Sequence, residues 1–415
     1  MASAARTEPH VLAETKRTLF PDLREDGYAV ADTQFAREHW IDDHPIDGDV
    51  TATLAPFNHV RIGSGYPDLV AVGHLDDAFL AVDRLGEEPP LIAVEAKGED
   101  WSGGVDVERG VVQAHDRLDE ANVAFASAPA DSISQSARTL ARELNVGVLG
   151  VEPDGSLTVL EQPRVVGNRT TDAANAIRFQ ASAQGVAEKS FGLNHPKNYL
   201  AVPLAVAHDH DARSLIAEHV VGAVSDAFRG ARFLGLVETH GPSHRLTPLG
   251  EEMVRFAHRT YPSLRSAIED FETFKRSRTR FIDEEPRWGE VTRRVVYDYP
   301  ATNLLVEELQ TMHDDGVASP TLLELVEWLH EQHPTFTVEL FVRGDEDVRR
   351  RVLTTEGDLR TETLTDGSIY HAPTVFQLKA MLYHAGIVAD RGAEPSRLDP
   401  EVDEWRLRNP LSRHR

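Results

Sequence analysis

Cysteine is absent from the 415 residues, which excludes disulfide frameworks and thiolate zinc sites alike. Lysine is nearly absent: six stand against 37 arginines and 68 acidic residues. No uninterrupted apolar run approaches the ~20 residues a membrane span requires, so no membrane partner is expected. The opening residues, MASAARTEPH, lack a basic stretch followed by an apolar core, and no signal peptide is read there. No Gly-Lys-Ser/Thr tripeptide occurs, which removes the phosphate-cradling P-loop and with it any evident nucleotide cofactor. A soluble, cytoplasmic protein is expected.

What is present is a chain long enough for two or three domains, 41% hydrophobic and of mixed charge, as globular proteins are. The formal net charge of −25 would ordinarily argue against a nucleic-acid partner. Its pattern matters more than its sum. Scarce lysine, dispersed acids and abundant Ala, Gly and Val resemble the composition of proteins from salt-loving archaea. At about 1 M salt the screening length falls to about 3 Å, so only close contacts decide binding.

Residues 10–20 set Val11, Leu12, Thr15 and Leu19 on one helical face. Strands are expected at VTATL (50–54), HVRIG (59–63), DLVAV (68–72) and LIAVEAK (91–97). Val107, Val111, Ala114 and Leu118 then recur at helical spacing. The strand VAFASAP, a helix over ISQSARTLARELN and a last strand VGVLGV follow. This order predicts an α/β module with one mixed central sheet over residues 1–165, and a connector over 166–200. Mainly helical segments come next, at 201–282 and 283–415.

Alternate residues of a strand share a face, so Glu95 and Lys97 point one way and Ile92 and Val94 the other. If the strand beginning at Asp68 is a neighbour, Asp68 and Glu95 converge at one sheet edge beside Lys97. Two carboxylates suit a hard cation such as Mg²⁺, and an ammonium beside them suits a phosphate under attack by water. A lone Glu-x-Lys is commonly a solvated face, and Pro-Asp commonly a turn. Against this, the run LIAV is apolar on both faces, as in an inner strand, and lysine is rare here. GSG at 63–65 is read as a tight turn ahead of Asp68, and HDHDAR at 208–213 as an acidic loop rather than a metal site.

Pro67–Asp68, 26 intervening residues and Glu95-Ala96-Lys97 resemble the PD-(D/E)xK motif of the restriction-endonuclease-like nuclease superfamily. The order of elements over residues 10–160 is similar to its αβββαβ core. The resemblance implies Asp68 and Glu95 as metal ligands, Lys97 as the catalytic lysine and the Ala96 carbonyl as a further ligand. Glu14 is the match for an acid on the first helix, with Glu8 the other candidate. Some branches carry a glutamine and, four residues on, a tyrosine. Gln113 fits the first and would join the catalytic set, but Arg117 stands at the second. Arg109, one turn before Gln113, could contact the scissile phosphate or simply face water.

ARFLGLVE followed by HRLTPLGEEMVR resembles a winged helix, and VFQLKAMLYHAGIVADRG with DEWRL resembles a second. Between them lies the densest basic cluster, FKRSRTR, whose Lys275, Arg276, Arg278 and Arg280 could grip phosphates or pair with local acids. Phe271, Phe274 and Phe281 nearby are read as core. The expectation is therefore a Mg²⁺-dependent nuclease, with Mn²⁺ as a substitute, acting on DNA in restriction, defence or repair. Two rivals are a non-catalytic DNA-binding regulator with a nuclease fold, and a nuclease directed at RNA. A homodimer would allow two sites to cut both strands.

Overall fold

The computed structural model describes residues 6–21, 28–37, 39, 45–76, 78–80, 89–99, 104–163, 190–208, 211–240, 243–275, 277–354 and 358–411. Packing divides the chain into two compact units, one of residues 1–183 with 330–336, the other of 184–329 with 337–415.

The first unit is built on a six-stranded mixed sheet whose spatial order follows the chain. Helix α1 (Glu8–Leu19) leads to β1 (Tyr28–Ala31) and α2 (Gly48–Leu54), then to β2 (Leu69–Val72) and β3 (Leu91–Ala96). Helix α3 (Val107–Arg117) crosses to β4 (Val123–Pro129), and α4 (Gln135–Leu144) to β5 (Gly147–Val151) and the edge strand β6 (Leu157–Glu161). β1–β2, β2–β3 and β5–β6 pair antiparallel, while β3–β4 and β4–β5 are parallel. Each parallel pair is joined by a helix, as parallel pairing requires.

Period-two alternation sorts the strand residues into two layers. Ile92, Val94 and Ala96 of β3 pack with Val11 and Leu12 of α1. Leu91 and Ala93 face the other side with Val30, Val70 and Val72. On that second side α3 lays Val111, Ala114 and Leu118 over Ala124 and Ala126 of β4. All the residues expected at helical spacing on α1 and α3 are buried.

Two expected strands are absent. VTATL is the helix α2: its buried residues are Val50 and Leu54, one helical turn apart, against α1. The alternation Val50–Ala52–Leu54 fits both periods over so short a run. HVRIG buries Val60 and Ile62 as alternation requires, yet among the described residues its only β-bridge is an isolated one from Ile62 to Gly65. In exchange the sheet holds β1, buried at all four residues, and β6, which sequence reading passed over.

The second unit centres on α5 (Lys197–Ala207), an apolar helix buried from Lys197 through Ala205. Around it pack α6 (Ala212–His219), α7 (Val224–Phe233), α8 (Pro248–Thr260) and α9 (Leu264–Asp270). Between α7 and α8 runs an antiparallel hairpin, β7 (Val237–His240) with β8 (Ser243–Leu246). The phrase Thr-Pro-Leu-Gly starts α8 as it reads: Thr247 caps it, its hydroxyl accepting from Gly250 N at 3.0 Å, and Pro248 occupies the first turn. Helices α10 (Phe281–Glu284) and α11 (Pro286–Tyr297) follow, with Trp288 fully buried against Phe256 and Phe271. Phe271, Phe274 and Phe281 are core, as expected. Beyond α11 the described residues form helices, connecting segments and isolated bridges, and apart from 330–336 the segments 201–282 and 283–415 lie in the same unit. No helix among the described residues is long and apolar enough to cross a membrane.

Candidate active site

Asp68 immediately precedes β2, whose register sets Leu69 opposite Val94 and therefore Asp68 beside Glu95. The two acids therefore occupy facing positions of neighbouring strands. Asp68 is almost wholly buried, with Oδ2 accepting from Ala96 N at 2.8 Å and Oδ1 from Gln34 Nε2 at 3.1 Å. Lys97 Nζ lies 3.9 Å from Asp68 Oδ2 and 3.8 Å from Glu8 Oε2, and donates to the Ala96 carbonyl at 2.7 Å. Its side chain is only 14% exposed.

Glycines make this approach feasible. A Cβ at Gly98 would sit 2.0 Å from Glu8 N, so the start of α1 can run against the end of β3 only if residue 98 has no side chain. This contact is why Glu8, rather than Glu14, reaches Lys97. Glu14 pairs instead with Arg17 at 2.7 Å, and its carboxylate lies by Gly155. Gly110 of α3 plays the same part on the other side, where a Cβ would meet Lys97 Cγ at 2.9 Å. Gly63, at φ +62°, makes the expected turn ahead of Asp68.

Glu95 is 2% exposed and carries a partner that sequence reading missed. Arg117 Nε donates to its Oε1 at 2.8 Å, and Arg117 Nη1 donates to Ile62 O at 3.0 Å. The signal was available, since Arg117 sits at i+7 from Gly110 on the stripe of α3 that faces the sheet. Gln113 lies on the same stripe, and its Oε1 is buried with no hydrogen-bond partner among the described residues. Arg109 is exposed, yet its charge acts on Glu8. A second missed pair flanks Asp68: His59 Nδ1 and Asp32 Oδ2 are 2.7 Å apart, and the His59 ring stacks on Tyr66 at 3.5 Å between centroids.

The electrostatics are those of acids crowded out of water. Burial is the first cause holding the Asp68 carboxyl well above its usual range, and Glu95 and Glu8 push it further. Glu8 is raised by burial against the pull of Lys97, and Glu95 by burial against the pull of Arg117. In all three carboxyls burial outweighs the pull of the neighbouring Lys97 and Arg117 charges. Even so, no three Asp, Glu or His side chains among the described residues are grouped closely enough to hold a metal ion.

The basic cluster is dispersed. Lys275 donates to Glu218 O at 3.2 Å and pairs with Glu272 at 3.4 Å. Arg280 donates to Ala389 O, pairs with Asp283 at 3.5 Å and stacks on Tyr383. Arg278 is exposed, and Arg276 lies outside the described residues. In HDHDAR, Asp211 caps α6 through Arg213 N and Ser214 N, while residues 209 and 210 lie outside the described residues.

Comparison with protein-family models, with curated proteins and with solved structures returned no match.

Proposed function

We propose that the first unit is a metal-dependent nuclease of the PD-(D/E)xK type, hydrolysing phosphodiester bonds in DNA. The observation that carries this reading is Lys97 held 3.8 and 3.9 Å from Glu8 and Asp68, with Glu95 beside them on the same sheet edge. The donor chemistry fits a hard divalent cation: every donor is an oxygen, the Asp68 carboxyl is buried, and Gln113 Oε1 is a buried acceptor without a partner among the described residues. Asp68, Glu95 and the Ala96 carbonyl would hold Mg²⁺, or Mn²⁺ in its place, with Glu8 in the part first given to Glu14. When bound, the ion supplies charge stabilisation at a phosphoryl oxygen and a more acidic water.

The chain's own groups do the rest. Lys97 presents a point charge to the phosphate, and Arg117 holds Glu95 in place. The hairpin between α7 and α8 supports a winged-helix-like role in engaging DNA or a partner, in a restriction, defence or repair setting. Two observations favour a second reading, a DNA-binding regulator without catalysis: Arg117 already engages Glu95, and among the described residues the acids are not grouped as a ligand set.

Cleavage of supercoiled plasmid in about 2 M KCl, a salt level chosen to screen the acidic surface, separates these readings. Nicking that requires Mg²⁺ or Mn²⁺, stops with EDTA and falls about 10²–10³-fold in Lys97→Ala establishes the nuclease. Equal binding without cutting by both proteins establishes the regulator. Cleavage confined to an RNA substrate transfers the activity to RNA.

A further inference from the structure

One groove of the second unit carries a charge balance opposite to that of the chain as a whole. Helices α8 and α11 bound a groove of about 820 Å³ whose lining includes Arg255, Arg259, Arg287 and Arg294 but only two acids, Glu252 and Glu290. In a chain with 68 acidic and 43 basic residues, a surface chosen at random would be net acidic. This one is net basic.

The four arginines are exposed, and they are not equally committed. Arg294 pairs with Glu252 across the groove at 2.7 Å, and Arg255 with Glu251 along α8 at 3.3 Å. Exposed pairs of this kind contribute little and exchange readily for a stronger anion. Arg259 and Arg287 make no ion pair among the described residues. The groove is also rigid underneath. Trp288, fully buried, donates to Tyr261 Oη at 2.9 Å and packs edge-on against Phe256 at 4.7 Å, which ties α11 to α8.

Spacing and chemistry select the ligand. Arg255 and Arg259 stand one turn apart, about 6 Å along the axis, and Arg287 and Arg294 two turns apart. The groove thus offers positive charge in a row on each wall. Guanidinium groups match phosphate bidentately and remain charged at any working pH. We propose that the α8–α11 groove grips the phosphodiester backbone of a nucleic acid, in place of the 275–280 cluster, where Lys275 and Arg280 are already bonded locally. In concentrated salt the long-range repulsion of the acidic chain is screened, so such a contact surface suffices to bind. The inference rests on the nuclease reading only in making the bound strand a substrate; binding itself does not depend on cleavage.

The test is fluorescence anisotropy of the full chain in EDTA, with a labelled DNA duplex, the same sequence single-stranded, and its RNA counterpart, over a range of KCl. Arg259→Glu/Arg287→Glu should raise Kd at least about tenfold and flatten the log Kd–log salt slope by about 2. Arg265→Glu/Arg350→Glu changes net charge equally at exposed sites outside the groove and should stay within about twofold of wild type. Thermal melts verify folding, and Arg255→Glu/Arg294→Glu provides a second groove variant. Binding of any of the three probes with this pattern sustains the proposal, and the tightest names the strand.

Equal binding by wild type and groove variants overturns the proposal, as does a wild type that binds none of the probes. Capture of a labelled polyglutamate peptide without nucleic acid also overturns it, in favour of an acidic protein segment. Repeating the wild-type and Lys97→Ala comparison with Mg²⁺ reads the nuclease separately, so groove-dependent binding without cutting sinks only that reading.

Discussion

At the scale of single residues, lysine is the informative side chain, though rarity is not what makes it so. Of the five described lysines, Lys16, Lys197 and Lys379 are buried, at 6%, 3% and 0% exposure, and only Lys275 is exposed. Lys16 donates to Leu54 O and Ala55 O at 2.7 and 2.6 Å, and burial draws its ammonium down to about 8. Lys379 lies 2.8 Å from Asp403 under Trp405. Lysine persists in this chain where a compact charge must fit inside, so scarcity alone marks burial as readily as catalysis. Lys97 differs in its neighbours, two carboxylates and a carbonyl at the edge of a sheet. Arg117 tests the other half of the site. Removing it leaves Glu95 buried and unpaired, so Arg117→Ala should lose about 3–5 kcal/mol in urea unfolding without metal. If Glu95 is a ligand, excess Mg²⁺ recovers more of that loss in the variant than it adds to wild type. Equal Mg²⁺ effects on the two proteins would separate Glu95 from the ion.

At the scale of elements, what could be read from the chain depended on length and on local punctuation. β2 to β5 were legible because long apolar runs sit between helices with clear periodicity, and Asp68, Glu95 and Lys97 followed from their places on those strands. α2 was not, because five residues satisfy two periods at once; what decides it is α1, whose Lys16 supplies cationic hydrogen bonds to the C-terminal carbonyls of α2. The place of Arg117 on the sheet-facing stripe of α3 was legible, but its pairing with Glu95 was not; the choice of Glu8 over Glu14 hinges on how closely backbones approach at Gly98, which no local pattern encodes. The second unit offers an element-level prediction. His384, on the helix Lys379–His384, is wholly buried and stacks on His195 at 4.1 Å between ring centroids. Burial first, then the Arg391 charge, lowers His384 from 6.5 to about 3. The unfolded chain therefore binds this proton at a higher pH than the folded one. The resulting stability is present above pH 6.5 and is lost as pH falls toward about 3. His384→Phe keeps a ring in the stack and removes the titration. Its melting temperature should fall less between pH 7 and pH 4 than that of wild type, and an identical acid limb would show that His384 does not drive it.

At the scale of the whole molecule, the net charge of −25 sets two electrostatic effects against each other. Like charges repel over the entire surface and favour expansion. Exposed ion pairs along single helices, such as Arg265–Glu269 at 2.8 Å and Arg229–Asp226 at 2.7 Å, favour the fold and are weakened by the same screening. Their sizes decide the sign. Each local pair contributes about 0.3–0.5 kcal/mol at most, and its partners stay in contact when salt is added. The repulsion grows with the square of the net charge and acts over distances that salt removes, since the screening length drops from about 10 Å at 0.1 M to about 3 Å at 1 M. Added KCl should therefore raise the urea midpoint of the metal-free protein, most steeply below about 1 M, where the screening length changes most. Neutralising ten surface glutamates to glutamine should raise the low-salt midpoint and flatten that rise. A midpoint that falls with KCl in wild type would mean that local pairing outweighs repulsion, and the acidic surface would then need an explanation other than its charge.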